Sequence, residues 1–486
     1  MNPPDLISRR QFLARAGCAA LGTTGLLSTL INLGLAGRVA AAENTGDYKA
    51  LICLFLLGGN DSFNMVIPTA PEEYRFYSEL RGGVYDEQSN PSGLAIPPDT
   101  LHAVKAERPF GLHPGFGPLQ KLYHGGELAF VCNVGSLRDP IATVADYRSR
   151  RFDMPLGLFS HSDQQQQWQT CVTDARSGIG WAGRAMDILG HDQSRAGRAT
   201  FNISLSGMNV LQTGYDVAPY TVNARGVRPL LGYDPKAHPN EAARLRDQVS
   251  AARSEAFESL MQGVYHNLFE RTYARTTRGA IDALERVQSD LAEDLYPDWN
   301  ASAASNLEAQ LKMVARLIPA QRKQGIRRQT FFIGVGGYDT HADLIPKHGK
   351  LLSELGAAIG QFWAHLPETE KRSVALFTAS DFARTLTGNG RGSDHAWGGN
   401  HLVLGGAVNG GHLFGQYPLF TAHTFKEIDV GQGRLIPSYA VEEYLYPILR
   451  WFGLSDRDLF EHLFPGYAAR FGSGGIRKRY PLFKTA

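Results

Sequence analysis

The sequence ALICLFLLGGND, residues 50–61, decides the fold. Eight apolar residues run without a break from Ala50 to Leu57, and two glycines follow them. A short continuous apolar run of this kind is typical of a strand buried on both faces, as in a parallel sheet. Because glycine lets the chain turn sharply, the run also predicts that Asp61 lies at the edge of that sheet.

Working outward from this run, similar apolar segments alternate with helical ones. The expected strands are Leu128–Val134, Thr200–Leu205, Thr330–Gly334, Ser373–Phe377 and His401–Leu404, and the expected helices are 115–124, Trp181–Leu189, Gly349–Leu366 and Tyr439–Trp451. This alternation predicts an α/β fold with a central, mainly parallel sheet sandwiched by helices. Residues 240–323 are rich in Ala, Arg, Glu and Leu, and we interpret them as a helical insertion or cap.

The first 42 residues have the features of a twin-arginine signal peptide. Arg9 and Arg10 precede a mildly apolar run at 16–37, and the alanines at 40–42 offer the small side chains that a signal peptidase needs. A membrane anchor is the alternative, which the five glycines of the run disfavour. We therefore predict two partners, the twin-arginine translocase and signal peptidase, and a periplasmic or secreted mature domain at 43–486.

Composition excludes some classes of function. A formal net charge of +2 provides no field for nucleic acid, and no second apolar run reaches the length of a membrane span. We expect no nucleic-acid partner and no membrane span after cleavage. Cys53 and Cys132 lie in strand-like apolar runs, which predicts that both are buried free thiols.

Four polar clusters follow apolar runs, at the positions where parallel sheets bind their ligands. They contain Asp61; Ser160, His161, Ser162 and Asp163; Asp339 and His341; and Asp381, Arg384, Asp394 and His395. Each has an alternative explanation when taken alone. Asp61 could be a turn former, the cluster around His161 a hydrogen-bonded loop, and Asp339 a helix N-cap.

Taken together, the clusters indicate a metal site. Asp61, Asp339, His341, Asp381 and His395 could hold one or two divalent metals if they converge. Oxygen and imidazole ligands suit Zn, Mn or Fe better than Ca, which prefers all-oxygen sites. A histidine flanked by hydroxyls, as His161 is, can act as a ligand or proton carrier, and either neighbouring serine could be a nucleophile.

The order of these motifs resembles that of the exported domain-of-unknown-function family 1501, which is similar to the alkaline phosphatase and sulfatase superfamily. The resemblance covers essentially the whole mature chain and implies a metal-dependent phospho- or sulfo-ester site on a mainly parallel sheet. The ligands that it implies are Asp61, Asp339, His341, Asp381 and His395. Ser162, or else Ser160, would hold the place of the nucleophile. The chain departs from the superfamily at Phe382, where phosphatases often have histidine.

Three functions remain open on the sequence. The first is hydrolysis of small-molecule or polymeric phosphate or sulfate esters with a divalent metal, in which Arg384 could hold an ester oxygen. The second is an exported binding or assembly protein on a degenerate hydrolase scaffold. The third is a redox enzyme, which the lack of clustered cysteine ligands, a haem motif and a dinucleotide fingerprint disfavours.

Overall fold

We describe the fold from a computed structural model. It describes residues 48–194, 201–224, 245–263, 270, 291, 293–301, 306–323, 326–472 and 475–484. The predicted signal peptide and parts of the predicted helical block lie outside these residues. No helix within the described ranges combines the length and apolar character needed to cross a bilayer.

The strands and helices follow in chain order. The strands are β1 (Lys49–Leu56), β2 (Val66–Pro68), β3 (His102–Val104), β4 (Phe110–Leu112), β5 (Leu128–Gly135), β6 (Phe201–Ser204), β7 (Tyr220–Thr221), β8 (Arg328–Val335), β9 (Val374–Ser380), β10 (Arg384–Gly388), β11 (Ser393–His395), β12 (Gly399–Gly405), β13 (Leu413–Gly415) and β14 (Tyr439–Ala440). The α-helices are α1 (Pro71–Leu80), α2 (Gly117–His124), α3 (Val144–Ser149), α4 (His161–Thr170), α5 (Trp181–Ser194), α6 (Leu245–Gln262), α7 (Asn306–Lys323), α8 (Leu344–His365), α9 (Glu368–Lys371), α10 (Ala422–Ile428), α11 (Val441–Phe452), α12 (Asp456–Asp458) and α13 (Tyr467–Phe471).

The main sheet contains nine of the described strands in the order β13-β5-β12-β9-β1-β8-β6-β7, and β14 also pairs with β5. Strand β1 is parallel to its neighbours β8 and β9, and β6 is parallel to β8 and β7. Strand β12 is antiparallel to both β9 and β5. The predicted α/β fold with a mainly parallel central sheet is therefore confirmed.

Both faces of β1 are buried, which explains its unbroken apolar sequence. Ile52 and Leu54 face one hydrophobic cluster, which includes residues of α7 and α8. Leu51 and Phe55 face the other, which includes residues of α5 and α11. Each fully buried Leu, Ile or Phe contributes roughly 1.5–3 kcal/mol. Helices therefore cover the sheet on two sides, and α7 is one of these covering helices.

The strand ends meet at one edge of the sheet. Because β9, β1 and β8 are adjacent and parallel, the turns that follow them lie side by side. Gly58, directly after β1, has φ +115°, and a Cβ built there would lie 2.4 Å from the Asp339 nitrogen. Only glycine lets the turn after β1 pass so close to the turn after β8.

Some local expectations differ from the structure. His161 does not lie in a loop but begins α4, a helix without apolar periodicity in which Gln164 and Gln167 are buried. Asp339 is not the N-cap of α8, because that helix begins at Leu344 after Asp343. Cys53 and Cys132 are buried free thiols, as predicted.

Candidate metal centre

Three side chains converge at the carboxyl edge of the sheet: His161 from the first turn of α4, Asp339 from the turn after β8, and His395 from the end of β11. Each offers one ligand atom, and these atoms lie within 4.8 Å of one another. The Nε2 atoms of His161 and His395 are each 3.6 Å from a carboxylate oxygen of Asp339.

A third imidazole, that of His341, joins this group. Its Nε2 lies 3.0 Å from Asp339 Oδ1 and 3.1 Å from His395 Nε2. The Nε2 atoms of all three histidines thus face the carboxylate of Asp339. We call His161, Asp339, His341 and His395 the His-Asp cluster.

The opposite ring nitrogen of each histidine faces an oxygen acceptor. His161 Nδ1 is 2.7 Å from Asp381 Oδ2, His395 Nδ1 is 2.8 Å from the Phe159 carbonyl, and His341 Nδ1 is 3.2 Å from Asp394 Oδ1. A carbonyl or carboxylate oxygen accepts the proton of Nδ1, which leaves the lone pair on Nε2. This is how metal-binding histidines are usually oriented by their neighbours.

Asp381 is held behind the cluster rather than within it. Its side chain has no exposed surface. Besides His161, its carboxylate accepts hydrogen bonds from the Gly58 nitrogen at 3.2 Å and from Gln165 Nε2 at 2.8 Å. The geometry therefore assigns Asp381 to orienting His161. Its predicted role as a direct ligand stays a prediction.

Arg384 is bound to the carboxylate of the cluster. Its buried guanidinium donates from Nη1 to Asp339 Oδ1 at 2.6 Å and from Nη2 to the Ser393 carbonyl. Burial alone would raise the pKa of Asp339, but the hydrogen bond and charge of Arg384, with His341 and His161, hold it below its usual value. Asp339 is therefore an anion at neutral pH.

The pKa of His395 also favours a ligand role. Partial burial lowers this pKa, and the charges of His161 and Arg384 lower it further, against the opposing hydrogen bond to Phe159. A neutral imidazole is the form that binds metal.

Asp61, which we also predicted to be a ligand, lies in a separate interaction. Both of its oxygens are 2.6 Å from Arg81 Nη2, and neither side chain has exposed surface. Burial raises the pKa of Asp61, against the charge and hydrogen bond of Arg81. The structure therefore does not bring Asp61 into the His-Asp cluster.

The two candidate nucleophiles lie at the start of α4. The hydroxyls of Ser160 and Ser162 are 3.2 Å apart, and Ser162 is exposed. The residue before them, Phe159, has φ +71°, an uncommon conformation for a residue other than glycine. The carbonyl of Phe159 accepts the hydrogen bond from His395 Nδ1. Strained backbone conformations often occur at functional sites.

The sequence did not point to Phe159, Gln165 or Arg81. A backbone carbonyl carries no signal of its residue type. Gln165 lies in an unbroken run of glutamines, and Arg81 follows α1 without any recognisable motif.

The fold and the cluster define an α/β protein with a histidine and carboxylate site at the carboxyl edge of its sheet. The chain belongs to the family described as Protein of unknown function (DUF1501), whose model matches residues 48–428, so the predicted family is confirmed. The comparison with curated proteins gave no match. The lipoteichoic acid synthase LtaP from Listeria monocytogenes shows a distant similarity, with 10% identity and a TM-score of 0.28, over 84% of this chain and 80% of that one. A similarity at that level adds no argument about function.

Proposed function

We propose that the His-Asp cluster holds one divalent transition metal and that the protein hydrolyses phosphate or sulfate esters. The ligands would be the Nε2 atoms of His161, His341 and His395 and the carboxylate of Asp339. A Zn²⁺ or Mn²⁺ ion at this position would act as a Lewis acid toward an ester. One observation carries the proposal: three imidazoles face one carboxylate through Nε2 while their Nδ1 atoms are bound elsewhere.

The two closest imidazoles support the presence of a cation. If Nδ1 carries the proton in both rings, the Nε2 lone pairs of His341 and His395 face each other at 3.1 Å. Two lone pairs at this distance repel unless a proton or a cation lies between them. Two nitrogens bound to one tetrahedral zinc at roughly 2.0–2.1 Å would be about 3.3 Å apart, close to the observed separation. The donor set of nitrogen and carboxylate oxygen also suits zinc, manganese or iron.

The surrounding residues of the chain keep this arrangement in place. The Phe382 ring lies 4.8 Å from the His161 ring and 4.6 Å from the His395 ring, centroid to centroid. Arg384 offsets part of the negative charge of Asp339. The side chain of Asp339 remains 46% exposed, so the cluster is open to solvent. Ser162, or else Ser160, supplies the hydroxyl nucleophile in this proposal.

Elemental analysis of the purified protein tests the metal site. We expect about one equivalent of a transition metal in the wild-type protein and a loss of nearly all of it in His395→Ala. The matched control is His423→Ala on α10, whose side chain is 86% exposed and which should keep its metal. A wild-type protein that takes up no Zn, Mn or Fe would contradict the proposal.

A second candidate, a non-catalytic binding or assembly protein, is favoured by one observation. Arg384, which could have held an ester oxygen, is buried and bound to Asp339 and to the Ser393 carbonyl. A panel of phosphate and sulfate esters, assayed with Zn, Mn or Mg added, separates the two candidates. Turnover that is lost in His395→Ala supports hydrolysis. Metal binding without any turnover supports the second candidate.

We also propose export through the twin-arginine translocase, followed by cleavage by signal peptidase and release into the periplasm or beyond. The support is Arg9 and Arg10 and the alanines at 40–42, all outside the described residues. Replacing Arg9 and Arg10 with lysine should leave the chain in the cytoplasm, as measured by cell fractionation. Arg15→Lys, within the same segment, is the matched control. Export of the double variant at the wild-type level would refute this route.

A further inference from the structure

A cavity lies at the edge of the main sheet, and its lining does not include the His-Asp cluster. Two short strands pair in parallel with the same side of β5: β13 opposite residues 130–132, and β14 opposite Val134 and Gly135. Asn133, which lies between these two pairings and has φ +53°, is one of the residues that line the cavity. Its volume is about 530 Å³, within the range of small-molecule sites. No member of the His-Asp cluster lines it.

One part of the cavity wall is apolar. Ile141, Ile436 and Pro437 are buried residues that contribute to it, and Ile428 adds a partly buried side chain from α10. Leu419, which is 43% exposed, also belongs to the lining. An exposed leucine beside a cavity wall of this kind can cover the apolar body of a ligand.

The other part of the wall is positively charged. Arg477 Nη2 and Lys478 Nζ both donate to the Ser438 carbonyl, at 3.4 and 2.6 Å. Glu443 neutralises Arg477 through two hydrogen bonds, at 2.9 and 3.0 Å. Among the residues that the structure describes, no carboxylate lies within 4 Å of Lys478 Nζ. This group of side chains therefore carries one uncompensated positive charge.

Of the remaining charged residues of the lining, Glu427 is the one that is not paired with a full opposite charge. Arg108 is paired with Glu73 outside the lining. The Glu427 side chain is 58% exposed and lies 3.9 Å from His423. The cavity thus offers an apolar wall together with the ammonium group of Lys478, and Glu427 adds one carboxylate to the lining that forms no ion pair with this ammonium group.

We propose that this cavity binds an organic anion made of one anionic head and an apolar body. The head, a carboxylate or a phosphate group, would accept a hydrogen bond from Lys478, and the body would pack against Ile141, Ile436 and Pro437. A volume of about 530 Å³ accommodates a body of roughly eight to twelve carbons with its head. This inference does not depend on the proposed hydrolysis.

Ligand-observed NMR titration of the purified protein tests it with octanoate, octylphosphonate and octan-1-ol. The two anions distinguish a carboxylate head from a phosphate-like one, and the phosphonate cannot be hydrolysed as an ester. We expect at least one anion to bind about tenfold or more tightly than the alcohol, because a hydrogen bond to a charged group is worth that much. Equal binding of all three compounds would overturn the proposal.

Variants locate the binding. Lys478→Gln should remove most of the preference for the anion, whereas Lys350→Gln on α8, 78% exposed, should retain it. His395→Ala should bind the anions as the wild-type protein does, because no member of the His-Asp cluster lines the cavity. Loss of anion binding in His395→Ala, or an undiminished preference in Lys478→Gln, would place the ligand elsewhere and refute the assignment.

Discussion

Two turns of this molecule have nearly the same sequence, but their aspartates lie in different surroundings. Gly58-Gly59-Asn60-Asp61 follows β1, and Gly336-Gly337-Tyr338-Asp339 follows the adjacent parallel strand β8. Each aspartate is bound by a buried arginine, Asp61 by Arg81 and Asp339 by Arg384. Judged by sequence alone, the two carboxylates are equivalent.

Their surroundings separate them. Both oxygens of Asp61 are bonded to Arg81 in a fully buried pair, and burial raises the pKa of this carboxyl. Asp339 gives one oxygen to Arg384 and remains 46% exposed, and its pKa is lowered despite partial burial. Of the two aspartates, the candidate ligand is the one that is exposed, that leaves Oδ2 unbound by an arginine, and that the three histidines reach.

The largest effect should come from breaking the buried pair. Arg81→Met leaves Asp61 as an uncompensated buried carboxylate, which should lower the free energy of unfolding by about 3–5 kcal/mol. Urea denaturation followed by circular dichroism measures this. Arg75→Met on α1 is the control, because its pair with Glu79 is exposed. If the two variants unfold at the same urea concentration, the buried pair of Asp61 and Arg81 does not stabilise the fold.

The next effect separates the two aspartates by metal binding. Asp339→Asn removes the only carboxylate of the His-Asp cluster and should weaken metal affinity more than 100-fold, beyond the 10–100-fold typical of outer residues. Asp61→Asn, measured on the folded fraction after gel filtration, should keep wild-type affinity. Competition with a chromogenic chelator gives both values. An equal loss of metal affinity in the two variants would mean that both aspartates contribute to metal binding.

Much of the fold could be predicted from the sequence, because the decisive signals are local. The apolar run at 50–57 can be satisfied only by burial on both faces, and paired glycines mark where β1 and β8 end. Asp339 and His341 could be named because residues that follow parallel strands meet at one edge. His395 has a side chain typical of a metal ligand, but it lies in β11 of the separate two-stranded sheet.

The rest depends on contacts that are distant in sequence. Arg81 reaches Asp61 from the end of α1, and Asp381 lies behind His161 because Gly58 and Gln165 hold it there. Neither partnership leaves a pattern in the sequence. Residue type therefore predicted the set of candidate ligands. It did not predict which of them form hydrogen bonds or ion pairs with other side chains instead.

A graded effect should follow from the residues that orient the histidines. Asp381→Asn keeps an acceptor near His161 Nδ1 but removes the charge, and should weaken metal affinity about 10–100-fold. Asp394→Asn should have a smaller effect, because its contact with His341 is longer, at 3.2 Å, and its side chain is 38% exposed. The same chelator competition measures both. An effect of Asp394→Asn that exceeds that of Asp381→Asn would reverse this ranking.

The last effect is spread over a range of pH and concerns the buried side of the comparison. His348, which contacts Asn60 at 2.8 Å, has its pKa lowered to about 3 by burial and by the charges of Arg81 and Arg384. The unfolded chain binds a proton at this histidine below about pH 6.5, whereas the folded chain does not. The stability that depends on neutral His348 is therefore complete above pH 6.5 and is lost as the pH falls toward 3.

The size of this dependence can be measured with one substitution. His348→Gln keeps a nitrogen donor for Asn60 but cannot titrate, so it should reduce the slope of unfolding free energy against pH by up to about 1.4 kcal/mol per pH unit between pH 6 and 4. Urea denaturation at intervals of half a pH unit gives the slope. His423→Gln, 86% exposed, should leave it unchanged. If the slope is the same for the wild type and His348→Gln, His348 takes up its proton in the folded protein as readily as in the unfolded chain. The turn after β1 would then be more accessible to solvent than its contacts indicate.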